Sequence, residues 1–179
     1  MTDSYSGPGE LQPFVDFLLP MGEFAMMFPR VERHVTWAIE SFTGASRWDG
    51  NELEGMIQAF SSRIKVLDIV ARPQCKTPED NETRVDIINR LRALNTLRNK
   101  LLHLSAVGTK YDLNVEDLSP IKSSLAMMLK QLDGNTGKEK NIDILLVELQ
   151  QKPHEMAALI QDVRRWVHNL CPNAARHVP

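Results

Sequence analysis

The chain has 179 residues, 42% of them hydrophobic and 25% charged, the composition of one ordinary globular domain that can bury a core without a metal or a disulfide. Its 21 Lys and Arg against 23 Asp and Glu give a formal charge of -2, which argues against a general nucleic-acid coat or a polybasic membrane arm, so any nucleic-acid contact must be local. Two cysteines, Cys75 and Cys171, with no Cys-x-x-Cys pair, argue against a disulfide scaffold and a cysteine-rich zinc site and point to a reducing, cytoplasmic setting.

In chain order, residues 1–13 read as a flexible arm with no signal-peptide pattern. Phe14 to Phe28 is the most apolar stretch, but Asp16, Pro20, Gly22 and Glu23 break it short of the roughly 20 residues of a membrane span, so it is expected to be a core or interface element. A first main helix is predicted to start at Pro29 and to run through Val31, Val35, Ala38, Ile39 and Phe42 to a stop at Gly44. Asp49 or Asn51 would cap a second, carrying Leu53, Met56, Ile57, Phe60, Ile64, Leu67 and Ile69 or Val70 and ending before Pro73. A connector from Arg72 to Pro78 follows, and Thr77, Pro78 and Glu79 open a third helix to about Ala106, through Val85, Ile88, Leu91, Leu94, Leu97, Leu101 and Leu104.

After a loop over 108–116, a fourth helix is expected from Ser119 to Leu132, then a break over Asp133 to Gly137. A last helix from Asn141 to Leu170, kinked near Pro153, precedes a tail over 171–179. With almost no period-two alternation, the class is all-α: an antiparallel bundle of four to five helices forming a single domain over 14–170.

The third helix carries the chemistry. At about 100° per residue, Leu94, Leu97, Leu101 and Leu104 share an apolar arc, while Arg92, Asn95, Thr96, Asn99 and His103 fall on the opposite side. Asn99 and His103 are four apart and can touch, which could fix the imidazole. Arg98 lies off that stripe, about 140° from His103 by the ideal count. Flanked by leucines it wants a partner: the ligand of His103, a facing helix or a second subunit. Between Arg84 and His103 stand Arg84, Arg90, Arg92, Arg98 and Lys100 against Asp86 alone, so this segment is net positive in an acidic chain and would draw an anion. Arg90, Arg92, Asn95 and Lys100 are the candidate RNA- or anion-binding residues.

Arg98-Asn99-x-x-x-His103 near the end of a long helix in an all-α chain of this size resembles the HEPN superfamily, whose signature is an arginine, usually a polar residue next, and a histidine a few positions on. Phe60-Ser61-Ser62-Arg63-Ile64-Lys65 is similar to the branch related to the mannitol operon repressor. The resemblance runs from about Pro29 to His103. It implies a homodimer whose paired Arg and His residues line one cleft and cut RNA without a metal or any cofactor. Carried over, His103 would act on the ribose 2′-hydroxyl or the leaving oxygen, Arg98 on the scissile phosphate, and Asn99 would position one of them. The products implied are a 2′,3′-cyclic phosphate or 3′-phosphate and a 5′-hydroxyl. A toxin or phage-defence role, with an antitoxin as partner, goes with that reading. The competing expectation is a non-catalytic regulatory or protein-interaction module, as in transcriptional regulation; small-nucleotide binding at the same helix is a third.

The other features carry less. His34, near Arg30 and Arg33, and His168, after Arg164, lack further ligands at metal spacing, and His154 and His177 read as surface residues. Met26-Met27 and Met127-Met128 are expected to fill core gaps, and Trp37, Trp48 and Trp166 to anchor core or interface. No phosphate-binding Gly-Lys-Ser or Gly-Lys-Thr, Gly-x-Ser-x-Gly or His-Glu-x-x-His motif occurs.

Overall fold

The computed structural model describes residues 12–44, 57, 59–108 and 142–172, and side chains at 19–44, 57, 59–99, 101 and 149–172. The described residues form an all-α bundle: α1 Gln12–Thr43, α2 Phe60–Ala71, a 3-10 turn Arg72–Gln74, α3 Pro78–Gly108 and α4 Ile142–Leu170, with no strand among them. The expected helix over 119–132 lies outside the described residues, as does Trp48.

α1 corrects the expectation of a start at Pro29, for it begins at Gln12 and holds both Pro20 and Pro29 within it. A proline inside a helix costs about 3 kcal/mol. Here the buried residues Phe24, Phe28, Val31, Val35, Ala38 and Phe42 repeat four and three apart without a change of phase across Pro29. Each fully buried Phe or Val returns roughly 1.5–3 kcal/mol, so continuing the stripe outweighs the lost hydrogen bond. Gly44 ends the helix as expected, at φ +70, where a Cβ would be strained. Met26, expected in the core, is exposed, two positions from both Phe24 and Phe28 and so about 200° round the helix from each.

α2 begins at Phe60, so the expected second helix is interrupted there; its expected start at Asp49 or Asn51 and the positions up to Met56 lie outside the described residues. Ile57 and Ala59 are not helical, and the Ala59 carbonyl accepts from the Ser62 and Arg63 amides at 2.9 and 3.1 Å. The Arg63 Nε donates to the Ile57 carbonyl at 2.8 Å, satisfying backbone that a continuous helix would have paired internally. Phe60, Ile64, Leu67 and Ala71 then form its buried stripe.

α3 opens at Thr77-Pro78 as expected, and a capping box closes its first turn. The Thr77 hydroxyl accepts from the Asp80 amide at 3.1 Å, while Asp80 accepts from the Thr77 and Lys76 amides at 3.0 and 3.1 Å. Those backbone donors hold the Asp80 carboxyl below the usual carboxylate range. The inner face of α3 is Ile87, Ile88, Leu91, Leu94 and Leu101, whereas Val85, expected inside, is exposed.

The chain divides into two compact units, Met1–Ala25 with Arg98–Pro153, and Met26–Leu97 with His154–Pro179. In the second unit four helical segments surround one core. Phe28 of α1 meets Phe60 of α2 edge-on at 4.9 Å, and Phe42 meets Trp166 of α4 at 5.1 Å. Trp37 packs edge-on against His168 at 6.0 Å. Across the short connector, Asp68 of α2 pairs with Arg84 and Arg92 of α3. In the first unit the buried side chains include Phe24, Leu101 and Leu149. Pro153 lies inside α4, which runs through it to Leu170. No described helix is long and apolar enough to cross a membrane.

Candidate functional site

The candidate residues fall on one uninterrupted helix, α3, which continues past His103 to Gly108. Asn99 and His103 are therefore one helical turn apart, on a common side. Arg98 is half-buried and engaged, Asn99 is exposed, and the side chains of Lys100 and His103 lie outside the described residues. Asn95 is half-buried; Arg92 and Thr96 are exposed, the Thr96 hydroxyl donating back to the Arg92 carbonyl at 3.0 Å.

The cations earlier on α3 face carboxylates. Arg90 Nη1 donates to Asp162 Oδ2 of α4 at 2.7 Å and to Asp86 Oδ2 on its own helix at 3.2 Å. Burial opposes the charge on Arg90, yet those two carboxylates outweigh it and hold the guanidinium above its ordinary range. Arg165 also approaches Asp162, at 3.6 Å.

Arg84 is sunk between α2 and α3. It forms an ion pair with Asp68 Oδ1, while the Asn81 side-chain oxygen Oδ1 accepts from its Nε at 3.2 Å and its Nη2 at 2.9 Å. The Arg84 and Asp68 side chains are only 10% and 16% exposed. The other Asp68 oxygen, Oδ2, is approached by Arg92 Nη2 at 3.4 Å and Arg72 Nη2 at 3.7 Å. Of these residues the sequence marks Arg92 as an anion-binding candidate and Arg84 only as local charge, and it singles out neither Arg72 nor Asp68. The signal for Asp68 is faint: it is the one acid in a helix whose other charged residues are Arg63 and Lys65.

His34 is a third polar group in the same unit. Its Nδ1 is 2.8 Å from the Arg30 carbonyl, which can only accept, so Nδ1 carries the hydrogen. Nε2 is buried without a partner. Burial, with the Arg164, Arg30 and Arg33 charges, keeps the imidazole below the ordinary histidine range. Among the described residues no three His, Cys, Asp or Glu side chains come together to hold a metal. Burial raises the Cys75 thiol, and the Asp80 charge adds to it, so neither its position nor its charge favours a nucleophile.

No family model matches this sequence. No curated protein and no solved structure matches it either. The functional reading therefore rests on the residues and their geometry.

Proposed function

We propose that the chain is a metal-independent endoribonuclease on a HEPN-like bundle, with Arg98 and His103 as its reacting groups and Asn99 beside them. The observation that carries this is the continuity of α3 through Gly108, which keeps the Arg98-Asn99 pair and His103 on one rigid rod. A helix fixes spacing that a loop would leave loose, as transition-state chemistry requires.

In the proposed reaction an imidazole takes the proton from a ribose 2′-hydroxyl, and the 2′-oxygen attacks the adjacent phosphorus. The P–O5′ bond breaks, and the leaving oxygen takes up a proton from a second imidazole. A guanidinium meets the charge that builds on the non-bridging oxygens, where a planar fork is worth more than a point charge. One His103 per chain supplies one imidazole, so the acid and the base come from two copies, and the active form is a homodimer. An antitoxin or other regulatory partner would act by covering that cleft.

The test is RNA cleavage in EDTA by wild type and His103→Ala. Loss of a general acid or base costs about 10²–10⁴-fold, so the variant should fall by at least the lower figure with unchanged helicity. Undiminished cutting by His103→Ala rejects the mechanism.

One observation favours the second reading, a non-catalytic interaction module. Arg84 and Arg90 spend their charge on internal carboxylates, and Ile69, Val85 and Met26 are exposed apolar side chains in the same unit. That reading predicts a stable protein complex and no RNA turnover at any enzyme concentration.

A further inference from the structure

The two ion clusters of the unit formed by Met26–Leu97 and His154–Pro179 do not balance alike. Around Asp162 two arginines, Arg90 and Arg165, meet two carboxylates, Asp162 and Asp86. Around Asp68 three arginines, Arg72, Arg84 and Arg92, meet one. Among the described residues Asp68 is the only carboxylate that any of the three reaches, so the cluster keeps two positive charges in excess.

The excess is placed where a ligand can use it. Arg84 is buried and committed to Asp68 Oδ1, and Asn81 holds its far side, so the carboxylate is fixed. Arg72 and Arg92 converge on the opposite oxygen, but at 3.7 and 3.4 Å, well beyond the 2.7–2.9 Å or so of a strong charge-assisted bond. Their side chains are 65% and 53% exposed. Each guanidinium has five donors, and one contact to Asp68 leaves most of them turned elsewhere. Two such forks, one from the end of α2 and one from α3, match the tetrahedral oxygens of a phosphate better than they match one shared carboxylate oxygen. Lys65, exposed and three residues before Asp68 on α2, adds a further cation on that side.

From this we infer that Arg72 and Arg92 form a clamp for a backbone phosphate of single-stranded RNA, held in register by the buried Asp68–Arg84 pair. The choice of RNA rests on the nuclease reading; the phosphate chemistry rests on the cluster itself. The clamp binds without sequence preference, because it reads backbone and no base edge.

The test is fluorescence anisotropy of a labelled 2′-O-methyl RNA oligonucleotide, which lacks the attacking hydroxyl and stays intact, with the full-length protein in EDTA over a salt series. Arg72→Gln, Arg92→Gln and the double variant are compared with Arg165→Gln, an arginine of the balanced cluster that is more exposed than either. The double variant should lose about tenfold in affinity at low salt, and its slope of log K against log salt should flatten by about 0.7 for one lost phosphate. Arg165→Gln should stay within about twofold and keep the slope. Thermal melting reports whether each variant is folded.

An equal loss in Arg165→Gln, no loss in the double variant, or no binding by wild type overturns the clamp. Cleavage of unmodified RNA is read separately: a protein that binds through Arg72 and Arg92 but never cuts defeats the nuclease reading alone. One that cuts while the double variant binds like wild type defeats the clamp alone.

Discussion

Asp162 and Asp68 receive arginines of the same helix, α3, and put them to different uses. At Asp162 the charges are matched and the contact with Arg90 is short, so the pair works as a lock between α3 and α4. At Asp68 one arginine is buried and locked while two stay exposed and loosely held. The lesson is that a basic helix is not in itself an anion site. The useful quantity is the charge left over after the neighbouring helices have contributed their carboxylates.

The strongest way to break this comparison is to remove the carboxylate that orders the Asp68 cluster. Asp68→Ala leaves Arg84 buried without its counter-charge, and breaking such a pair costs about 3 kcal/mol or more. Urea unfolding should show the midpoint fall accordingly, and a change under about 1 kcal/mol would mean that Arg84 is not sealed from water.

At the balanced cluster the effect should be smaller, because Arg90 and Asp162 are each about a third exposed. A double-mutant cycle with Arg90→Gln and Asp162→Asn should give a coupling of about 1 kcal/mol or less, decreasing with salt. Thr77→Ala, which removes the cap of α3 without touching either cluster, should cost about 1 kcal/mol and leave that coupling unchanged.

At His34 three arginines, Arg30, Arg33 and Arg164, bear on a buried imidazole. Its folded pKa is depressed below the unfolded value, so the unfolded chain binds the proton more readily. Stability is complete above about pH 6.5 and falls as the pH drops through and below that value. Chemical denaturation from pH 7.5 to 5 should show this loss in wild type, and His34→Asn, which keeps a donor for the Arg30 carbonyl but cannot charge, should flatten it. An equal slope in both proteins would assign the acid sensitivity to other groups.

Much of the fold was legible because it follows periodicity and caps. The Thr77-Pro78 start of α3, the Gly44 stop and the α4 span needed only local residues. α1 was misread at Pro29 because a local rule about proline was set above the stripe through Phe24, Phe28 and Val31, which was present in the sequence and crosses it. The expected second helix does not continue through Ile57 and Ala59 into α2, where the Arg63 side chain reaches the Ile57 carbonyl, a contact that apolar spacing does not reveal.

The candidate site was legible as a motif on a helix, and the helix is continuous across it. Its charge environment was not legible. Counting along the chain makes the stretch of α3 from Arg84 to His103 strongly positive, yet Asp162 lies 72 residues from Arg90, and Asp68 lies 16 and 24 residues from Arg84 and Arg92. Pairing across helices is a property of packing, and one sequence without its fold cannot supply it.

The measurement that bears most directly on the proposed activity is the chemistry of the RNA ends left after incubation with the purified protein in EDTA. The account predicts 5′-hydroxyl ends opposite 2′,3′-cyclic phosphates or 3′-phosphates, since the 2′-oxygen is the nucleophile and water is not. Intact RNA, 5′-phosphate ends, or cutting that appears only when a divalent metal is restored would contradict it.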